Sequence, residues 1–305
     1  DISILKDLGY DVLLSNRIFD SLLFWKYDIL FSYFYRYSFF AALLAKCFGK
    51  KTYFTGGIDS LDSDYASAFN YKIQALFFKL CYWVADSCII VSQSDLKNIF
   101  KVSSLKKKLS YSEHVINTKL FIADVPKEKI FTSIVWMGDE GNVVRKGVDK
   151  ALQIFAELKK IPEFVDYRFV IIGRKGEGEV LVRSIIDKYN LKGSVELKGE
   201  VSEEDKINLL KQSKYYFQLS LYEGFGLAAL EALCANNIII HSGKGGLANP
   251  IYKEQLLFDI DNDFDSELLK LVNKLACFTP ITSYDNLLES VSYTHLRAHE
   301  TGRNL

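Results

Sequence analysis

The 305-residue sequence has little of what would mark a disordered, nucleic-acid-binding or membrane-spanning chain. It contains only 4 Pro, which leaves little room for disordered linkers. Its 38 Lys and Arg balance 38 Asp and Glu, so no global charge points to nucleic acid as a partner. The most apolar stretch, residues 75–91, is interrupted by Lys79 and Asp86, which argues against a transmembrane helix.

Cysteines are also few, and their positions show no metal-ligand spacing. All 5 lie in apolar segments, which predicts buried thiols in a reducing compartment and no metal site: Cys47, Cys81, Cys88, Cys234 and Cys277. What the sequence has in quantity is hydrophobic residues, at 49% of the chain. This is enough for the cores of two α/β domains.

Short apolar runs alternate with helical patterns through the first 122 residues. Strands followed by helices in this order predict a doubly wound parallel sheet, because parallel strands need helical crossovers. The predicted strands are residues 27–32, 51–54 and 87–91, with helices at 38–48 and 65–85.

The beginning of the sequence departs from this order. A helical pattern ends at Gly9, and residues 10–14 are predicted to form a strand. A domain of this type would open with a strand and a glycine loop before that helix, and neither is present. We therefore expect the chain to be truncated at its N-terminus.

The alternation resumes at residue 132. Three of its predicted strands end at or beside a glycine, at Gly138, Gly173 and Gly199. Turns after the strands of a parallel sheet all lie at one edge, where open α/β sheets bind ligands. The predicted strands are residues 132–138, 167–173, 215–219 and 238–240, together with a strand and turn at 195–202.

One glycine-rich turn joins the strand at 215–219 to a helix, and it carries two carboxylates. Gly224 and Gly226 leave the backbone N–H groups bare, and bare amides at a helix N-terminus form a site for phosphate. Glu223 and Glu231 would accept hydrogen bonds from neutral hydroxyls, such as those of a hexose and a ribose. The alternative is an ordinary strand–turn–helix with solvated glutamates.

Two cations follow the first strand of the second half. Arg145 and Lys146 are predicted to lie in a loop just before a helix. Arg by bidentate contact and Lys as a point charge can neutralise a diphosphate there. The alternative is a solvated pair of side chains.

Together, Glu-Gly-Phe-Gly-Leu with its second Glu and Arg-Lys-Gly-Val-Asp resemble the motifs of retaining glycosyltransferases of family 4, the glycosyl transferases group 1. The resemblance covers essentially residues 1–285. It implies an α/β protein of the GT-B fold, in which two Rossmann-like domains face a cleft. The implied domains are an acceptor-side domain at 1–122, lacking its first strand, and a donor domain at 123–285. Residues 286–305 look like a non-native tail.

The resemblance also assigns roles to residues. Catalytic roles fall to Glu223, Arg145 and Lys146, and a weaker acceptor-side match to Gly57 and Asp59. The chain departs from the family at Asp139, where many members have Arg, and at Gly56, where many have His. The implied donor-binding residues are Gly138, Arg145, Lys146, Gly173, Gly199, Glu223, Gly224, Phe225, Gly226, Leu227 and Glu231.

The implied reaction moves a sugar, with retention, from a nucleotide diphosphate sugar to a glycan or lipid-linked acceptor, in polysaccharide or lipopolysaccharide synthesis. No metal or other cofactor is expected, nor nucleic acid as a partner. The expected location is the cytoplasm, with peripheral contact at the inner face of the membrane through lysines at 106–108. Two alternatives are a GT-B sugar-nucleotide 2-epimerase and an inactive nucleotide-sugar-binding remnant.

Overall fold

A computed structural model describes residues 2–15, 17–122 and 125–277. The chain divides into two compact units: unit 1 is Asp1–Val91 with Asp95–Ser112, and unit 2 is Ser92–Ser94 with Glu113–Leu305. The domain boundaries proposed from the sequence stay predictions. The predicted tail lies outside the described residues.

Unit 1 is a four-stranded parallel sheet with helical crossovers, in the strand order β1-β2-β3-β4. The helices begin and end where local chemistry allows: Ser67 caps α3 by accepting from the Asn70 N–H, and Gly49 follows α2 with a positive φ of 72°. The elements are α1 Ile2–Asp7, β1 Ile29–Ser32, α2 Tyr35–Cys47, β2 Lys51–Thr55, α3 Ala68–Val84, β3 Ser87–Ile90, α4 Gln93–Val102 and β4 Leu109–Tyr111, with 3-10 helices at Ile18–Leu22, Phe24–Lys26 and Asp59–Leu61.

The strand predicted at residues 10–14 does not form. The backbone turns at Gly9 with a φ of 84°, as predicted for a helix end, but the following residues pair with no described strand. Leu13 and Leu14 are mostly exposed. An extended segment without a hydrogen-bonded neighbour gains nothing from strand geometry, so this prediction is wrong.

Unit 2 is a six-stranded parallel sheet in the order β10-β9-β8-β5-β6-β7. Its elements are β5 Glu128–Ile134, α5 Glu140–Arg145, α6 Val148–Leu158, β6 Arg168–Ile172, α7 Glu179–Lys188, β7 Val195–Gly199, α8 Glu203–Gln212, β8 Ser213–Gln218, α9 Leu227–Cys234, β9 Ile238–His241, β10 Leu256–Leu257 and α10 Phe264–Cys277, with 3-10 helices at Thr118–Leu120, Pro162–Phe164, Gly245–Ala248 and Pro250–Tyr252.

An aromatic cluster fills the core of unit 2. Phe131 on the central strand β5 stacks on Tyr215 and Phe217 of β8, with ring centroids 4.6 and 5.0 Å apart. Phe155 of α6 closes the cluster at 5.5 Å. Burying each such ring stabilises the fold by about 1.5–3 kcal/mol, so the register of β5 on β8 is strongly specified. The order of strands and helices confirms the predicted parallel α/β sheets, and the sheet of unit 2 is doubly wound, because β5 to β7 and β8 to β10 extend it in opposite directions.

The part of the chain described by the structure contains no helix that is both long and apolar enough to cross a membrane. Cys81, Cys88 and Cys234 are buried as predicted, and burial raises the pKa of their thiols to about 12, 11 and 12. Cys47, in the last turn of α2, is exposed, so the prediction of burial is wrong there. The side chain of Cys277 lies outside the described residues.

Candidate functional site

The candidate site of unit 2 is built by loops at one edge of its sheet. Strands β5, β8 and β9 are parallel neighbours, so the segments that follow them leave the sheet at the same edge. These segments are residues 135–147, 219–226 and 242–249. They contain most of the residues predicted to bind the donor.

The loops after β5 and β8 are joined through their backbones. The Leu221 N–H donates to the carbonyl oxygen of Arg145 at 2.8 Å. Gly147 is left-handed, with a φ of 67°, and a Cβ added there would collide with the carbonyl of Leu219. Only glycine fits this position without strain, so the backbone itself fixes where Lys146 stands.

Lys146 and Glu223 form an ion pair in this fixed frame. The Lys146 Nζ lies 2.9 Å from Oε1 and 2.8 Å from Oε2 of Glu223. The two side chains are only 22% and 15% exposed. A pair this sheltered is screened less by salt than a surface pair. The structure thus brings together two of the three residues predicted to be catalytic.

Two further residues hold the Glu223 carboxylate. Ser220 Oγ donates to Oε2 at 2.9 Å, and Gln218 Nε2 donates to the same oxygen at 3.2 Å. The Tyr216 hydroxyl in turn donates to Oε1 of Gln218 at 3.1 Å. A carboxylate has about four lone-pair sites. Three donors converge on Oε2, so Oε1 is the oxygen left with room for a hydroxyl donor.

Arg145 is placed differently from the prediction. It is the last residue of α5 and lies in no loop, although it does precede α6. Its Nε and Nη2 donate to the Asn142 side-chain oxygen at 3.3 and 3.2 Å. Asp139 caps the same helix, accepting from the Asn142 N–H at 2.7 Å. The departure at Asp139 therefore has a local cause: an anionic cap at a helix N-terminus.

The glycine turn leads into α9 as predicted. Gly226 is the N-cap, left-handed at φ 87°, and no side chain caps the helix. A Cβ added to Gly224 would meet no atom within 4 Å, so the backbone there is open. Phe225 is buried with its ring edge-on to His114, at 5.2 Å between centroids, while Leu227 is exposed. This arrangement leaves uncapped amides at the start of a helix, the feature predicted to favour an anion.

Glu231 lies just over one turn into α9, because the helix begins at Leu227, and not about two turns as predicted. Lys206 of α8 donates to Glu231 Oε1 at 3.0 Å and lies 2.8 Å from Glu203. Burial raises the pKa of Glu231, although the hydrogen bond from Lys206 opposes that shift. For Lys206, burial alone would lower the pKa, but the hydrogen bonds to the two carboxylates outweigh it and raise it.

The loop after β9 packs against the backbone of the loop that carries Glu223. The Gly246 N–H donates to the Glu223 carbonyl at 2.5 Å. Gly245 has a φ of 61°, and a Cβ there would collide with the same carbonyl. The two glycines thus allow a backbone approach that no other residue type would permit.

Gly138, Gly173 and Gly199 lie at the neighbouring strand ends. The Gly173 N–H donates to the Gly199 carbonyl at 2.8 Å, and both glycines have positive φ, 131° and 76°. A Cβ at Gly173 would collide with the Val135 carbonyl, and one at Gly138 would lie 2.7 Å from the Trp136 ring. Their observed role is to let these loops pack closely, and their donor role stays a prediction.

The predicted acceptor-side residues lie in unit 1. Gly57 has a φ of 61°, and its carbonyl accepts from the Gln74 side chain at 3.1 Å. Asp59 begins the 3-10 helix Asp59–Leu61 that follows β2. Both positions follow the carboxyl end of a parallel strand, and their acceptor role stays a prediction.

Sequence reasoning missed the residues that hold the two glutamates. Gln218 and Ser220 could have been found from the sequence, since they are polar residues at the end of an otherwise apolar strand. Lys206 could not have been found in this way, because nothing in the sequence of α8 indicates that it faces Glu231. Among residues 2–15, 17–122 and 125–277, no group of three or more His, Cys, Asp or Glu could hold a metal ion.

Part of the chain is similar to a known protein family. Residues 141–275 match the model of glycosyl transferases group 1. A GDP-mannose:cellobiosyl-diphosphopolyprenol alpha-mannosyltransferase of Xanthomonas oryzae is 32% identical over 40% of this chain and 37% of its own length. One component of the human phosphatidylinositol N-acetylglucosaminyltransferase is 30% identical over 34% of this chain and 21% of its own length. The chain thus spans well under half the length of these relatives.

Solved structures agree on the fold. The sucrose-phosphate synthase of Thermosynechococcus elongatus superposes with a TM-score of 0.70 at 19% identity, over 92% of this chain and 74% of its own. The Anabaena protein HepE, in complex with UDP-glucose, gives a TM-score of 0.72 at 13% identity, over 100% of this chain and 89% of its own. These structures share the GT-B fold with this chain, and over residues 141–275 the chain is similar to the group 1 glycosyltransferases.

Proposed function

We propose that this chain transfers a sugar, with retention of anomeric configuration, from a nucleoside diphosphate sugar to a glycan or lipid-linked acceptor. The observation that carries the proposal is the Lys146–Glu223 pair at 2.8 Å, sheltered at the carboxyl edge of the unit 2 sheet. A cation and a carboxylate there, beside the uncapped N-terminus of α9, suit a ligand that carries both phosphate and hydroxyl groups.

Retaining transfer must stabilise the departing diphosphate and the cationic character that develops at the anomeric carbon. Lys146, Arg145 and the amides of the glycine turn supply preorganised positive charge for the diphosphate. Glu223 Oε1 accepts a hydrogen bond from a sugar hydroxyl, and Glu231 accepts one from the ribose. The protein does this without a metal ion or other cofactor.

The relatives support a lipid-linked acceptor. The Xanthomonas oryzae relative is named for a cellobiosyl-diphosphopolyprenol acceptor and the human relative for phosphatidylinositol. We place the reaction in cell-surface polysaccharide or lipopolysaccharide synthesis, at the inner face of the cell membrane. Gly57 and Asp59 then belong to the acceptor side.

Calorimetry and a product assay test the proposal. The chain is titrated with UDP, GDP and their sugars, and then incubated with each sugar donor and a polyprenyl-diphosphate disaccharide. We expect nucleotide binding and a product whose new linkage keeps the donor's anomeric configuration by NMR. An inverted linkage, or an epimerised nucleotide sugar formed without acceptor, would sink the proposal. Nucleotide binding with no transfer to any acceptor would favour the binding remnant.

A further inference from the structure

One face of α3 in unit 1 carries a row of exposed apolar side chains flanked by lysines. Phe69, Leu76 and Trp83 follow one another at seven-residue intervals, about two helical turns, and are 71%, 55% and 72% exposed. Lys72 and Lys79 are exposed three residues after Phe69 and Leu76, on the same side of the helix. We call these five residues the α3 face.

The other side of α3 fixes the orientation of this face. Phe78, Cys81 and Tyr82 are buried in the core of unit 1, where the Phe78 ring packs 5.3 Å from that of Tyr35. The helix therefore cannot turn to hide Phe69 and Trp83. Scattered exposed apolar residues are ordinary, but an ordered row of large ones marks an interaction surface.

The charge of this surface has one sign. Lys72 and Lys79 are the only charged residues in α3, which has neither Asp nor Glu. Asp86, just beyond the helix, is held by the Lys46 ammonium at 2.7 Å and by the Thr52 N–H at 2.8 Å. The nearest following acid is thus already paired.

More positive charge adjoins the C-terminal end of the helix. Lys108 donates to the carbonyl oxygens of Trp83 and Ala85 at 2.9 and 2.6 Å. Its ammonium therefore caps the C-terminal end of α3 and is not counted with the α3 face. The preceding Lys106 and Lys107 are exposed. Of the three lysines predicted to meet a membrane, these two stay exposed, and the Lys106 ammonium lies 4.8 Å from the ring centroid of Phe100 in α4.

We propose that the α3 face docks this chain on an anionic lipid bilayer. Trp and Phe favour the headgroup region, and Lys stems can lie along apolar surface while the ammonium reaches anionic headgroups. Protein interfaces, in contrast, are depleted in Lys. A second copy related by two-fold symmetry would bring the lysines of both copies together, with no acid in either helix to pair with them.

Docking of this kind places α3 along the membrane plane. The row from Phe69 to Trp83 is about 21 Å long, so both ends can enter the interface together. The inference rests on unit 1 alone and needs no sugar donor, so it stands or falls separately from the proposed transfer reaction.

Vesicle flotation tests the docking. The full chain is mixed with phosphatidylcholine vesicles containing either no phosphatidylglycerol or about a third of it, and Trp fluorescence is recorded. We expect binding only to the anionic vesicles, weakened by salt. Replacing both Lys72 and Lys79 with Gln should weaken it about 25-fold, since each lysine near such a surface contributes about a fivefold factor.

Matched variants separate docking from a change in folding. Phe69→Ser with Trp83→Ser should abolish flotation without lowering the melting temperature, because both side chains are mostly exposed. Val180→Ser with Lys188→Gln, on the exposed side of α7, should leave flotation unchanged. Trp83→Phe should still bind but lose most of the fluorescence blue shift.

Three results would overturn the inference. The wild-type chain could bind neither vesicle type, or the α3-face variants could float as well as the wild type. Sedimentation could also show a dimer that depends on Trp83, which would assign the face to a second copy.

Discussion

The Lys146 ammonium contacts both carboxylate oxygens of Glu223, at 2.9 and 2.8 Å, across 77 residues of sequence. The cation proposed for the diphosphate and the carboxylate proposed for the sugar therefore neutralise each other in this structure. Donor binding must divide Lys146 between Glu223 and a phosphate oxygen. Charge is then redistributed at the site without any need for a large backbone movement, because Gly147 and Leu221 hold the loops.

Variants of the Lys146–Glu223 pair should affect stability and activity differently. Lys146→Met should lower the free energy of unfolding by about 1–3 kcal/mol, between the values for exposed and buried pairs, and lower kcat/KM at least about 100-fold. Adding Glu223→Gln should restore most of the stability, because no uncompensated charge remains, but none of the activity. Urea denaturation and initial rates measure the two effects.

Lys129→Met is the matched control for that series. Its ion pair with Asp166 is exposed, so the variant should keep both its stability and its activity. If the double variant regains activity along with stability, Lys146 and Glu223 serve the fold alone.

Gly147 and Gly224 should respond in opposite ways to alanine. Gly147→Ala forces a side chain into a left-handed position and against the Leu219 carbonyl, so it should destabilise the chain by about 2–5 kcal/mol. Gly224→Ala meets open space, so the melting temperature should hold while the affinity for nucleotide sugar falls. Thermal unfolding and calorimetry test both; a stable Gly147→Ala would contradict the close approach.

His241 should make the chain sensitive to acid. Burial lowers its pKa to about 4, against about 6.5 in an unfolded chain. Between these values the unfolded state binds the proton and the folded state does not, so stability falls as pH drops from about 6.5 to about 4, by about 3 kcal/mol. His241→Asn should flatten this limb of the stability curve measured by urea denaturation. An unchanged slope would show that other groups cause the loss.

Glu231 and Glu203 share Lys206, which makes them a matched pair of substitutions. Glu231→Gln should raise the donor KM about 10-fold or more if its carboxylate holds the ribose, the usual cost of one hydrogen bond to a charged group. Glu203→Gln removes the other partner of Lys206 and should leave KM unchanged. Equal effects from both would mean that Lys206, not the ribose contact, is what matters.

Much of the site can be predicted from local sequence. The run Tyr215–Leu219 followed by Gly224 and Gly226 predicts a strand, a turn and a helix, and the structure has all three. Glu223 is recognisable because it adjoins that turn. The strand predicted at residues 10–14 does not form, because a short apolar run does not form a strand without a paired neighbour.

Contacts between distant segments cannot be predicted in this way. The sequence places Arg145 in a loop, yet Asn142 and the cap at Asp139 make it the end of a short helix. Lys206 reaches Glu231 only because α8 and α9 lie beside each other. The hydrophobic periodicity of either helix does not predict that contact. The exposure of Cys47 likewise depends on what packs against α2.

The order of strands and helices, the glycine positions and the types of side chain at the ends of strands can all be read from the sequence alone. These follow from local preferences, namely hydrophobic period, turn chemistry and caps. Which of those side chains come into contact depends on the packing of distant segments. The register of β5 on β8 places Lys146 against Glu223, and packing energy spread over Phe131, Tyr215 and Phe217 fixes that register.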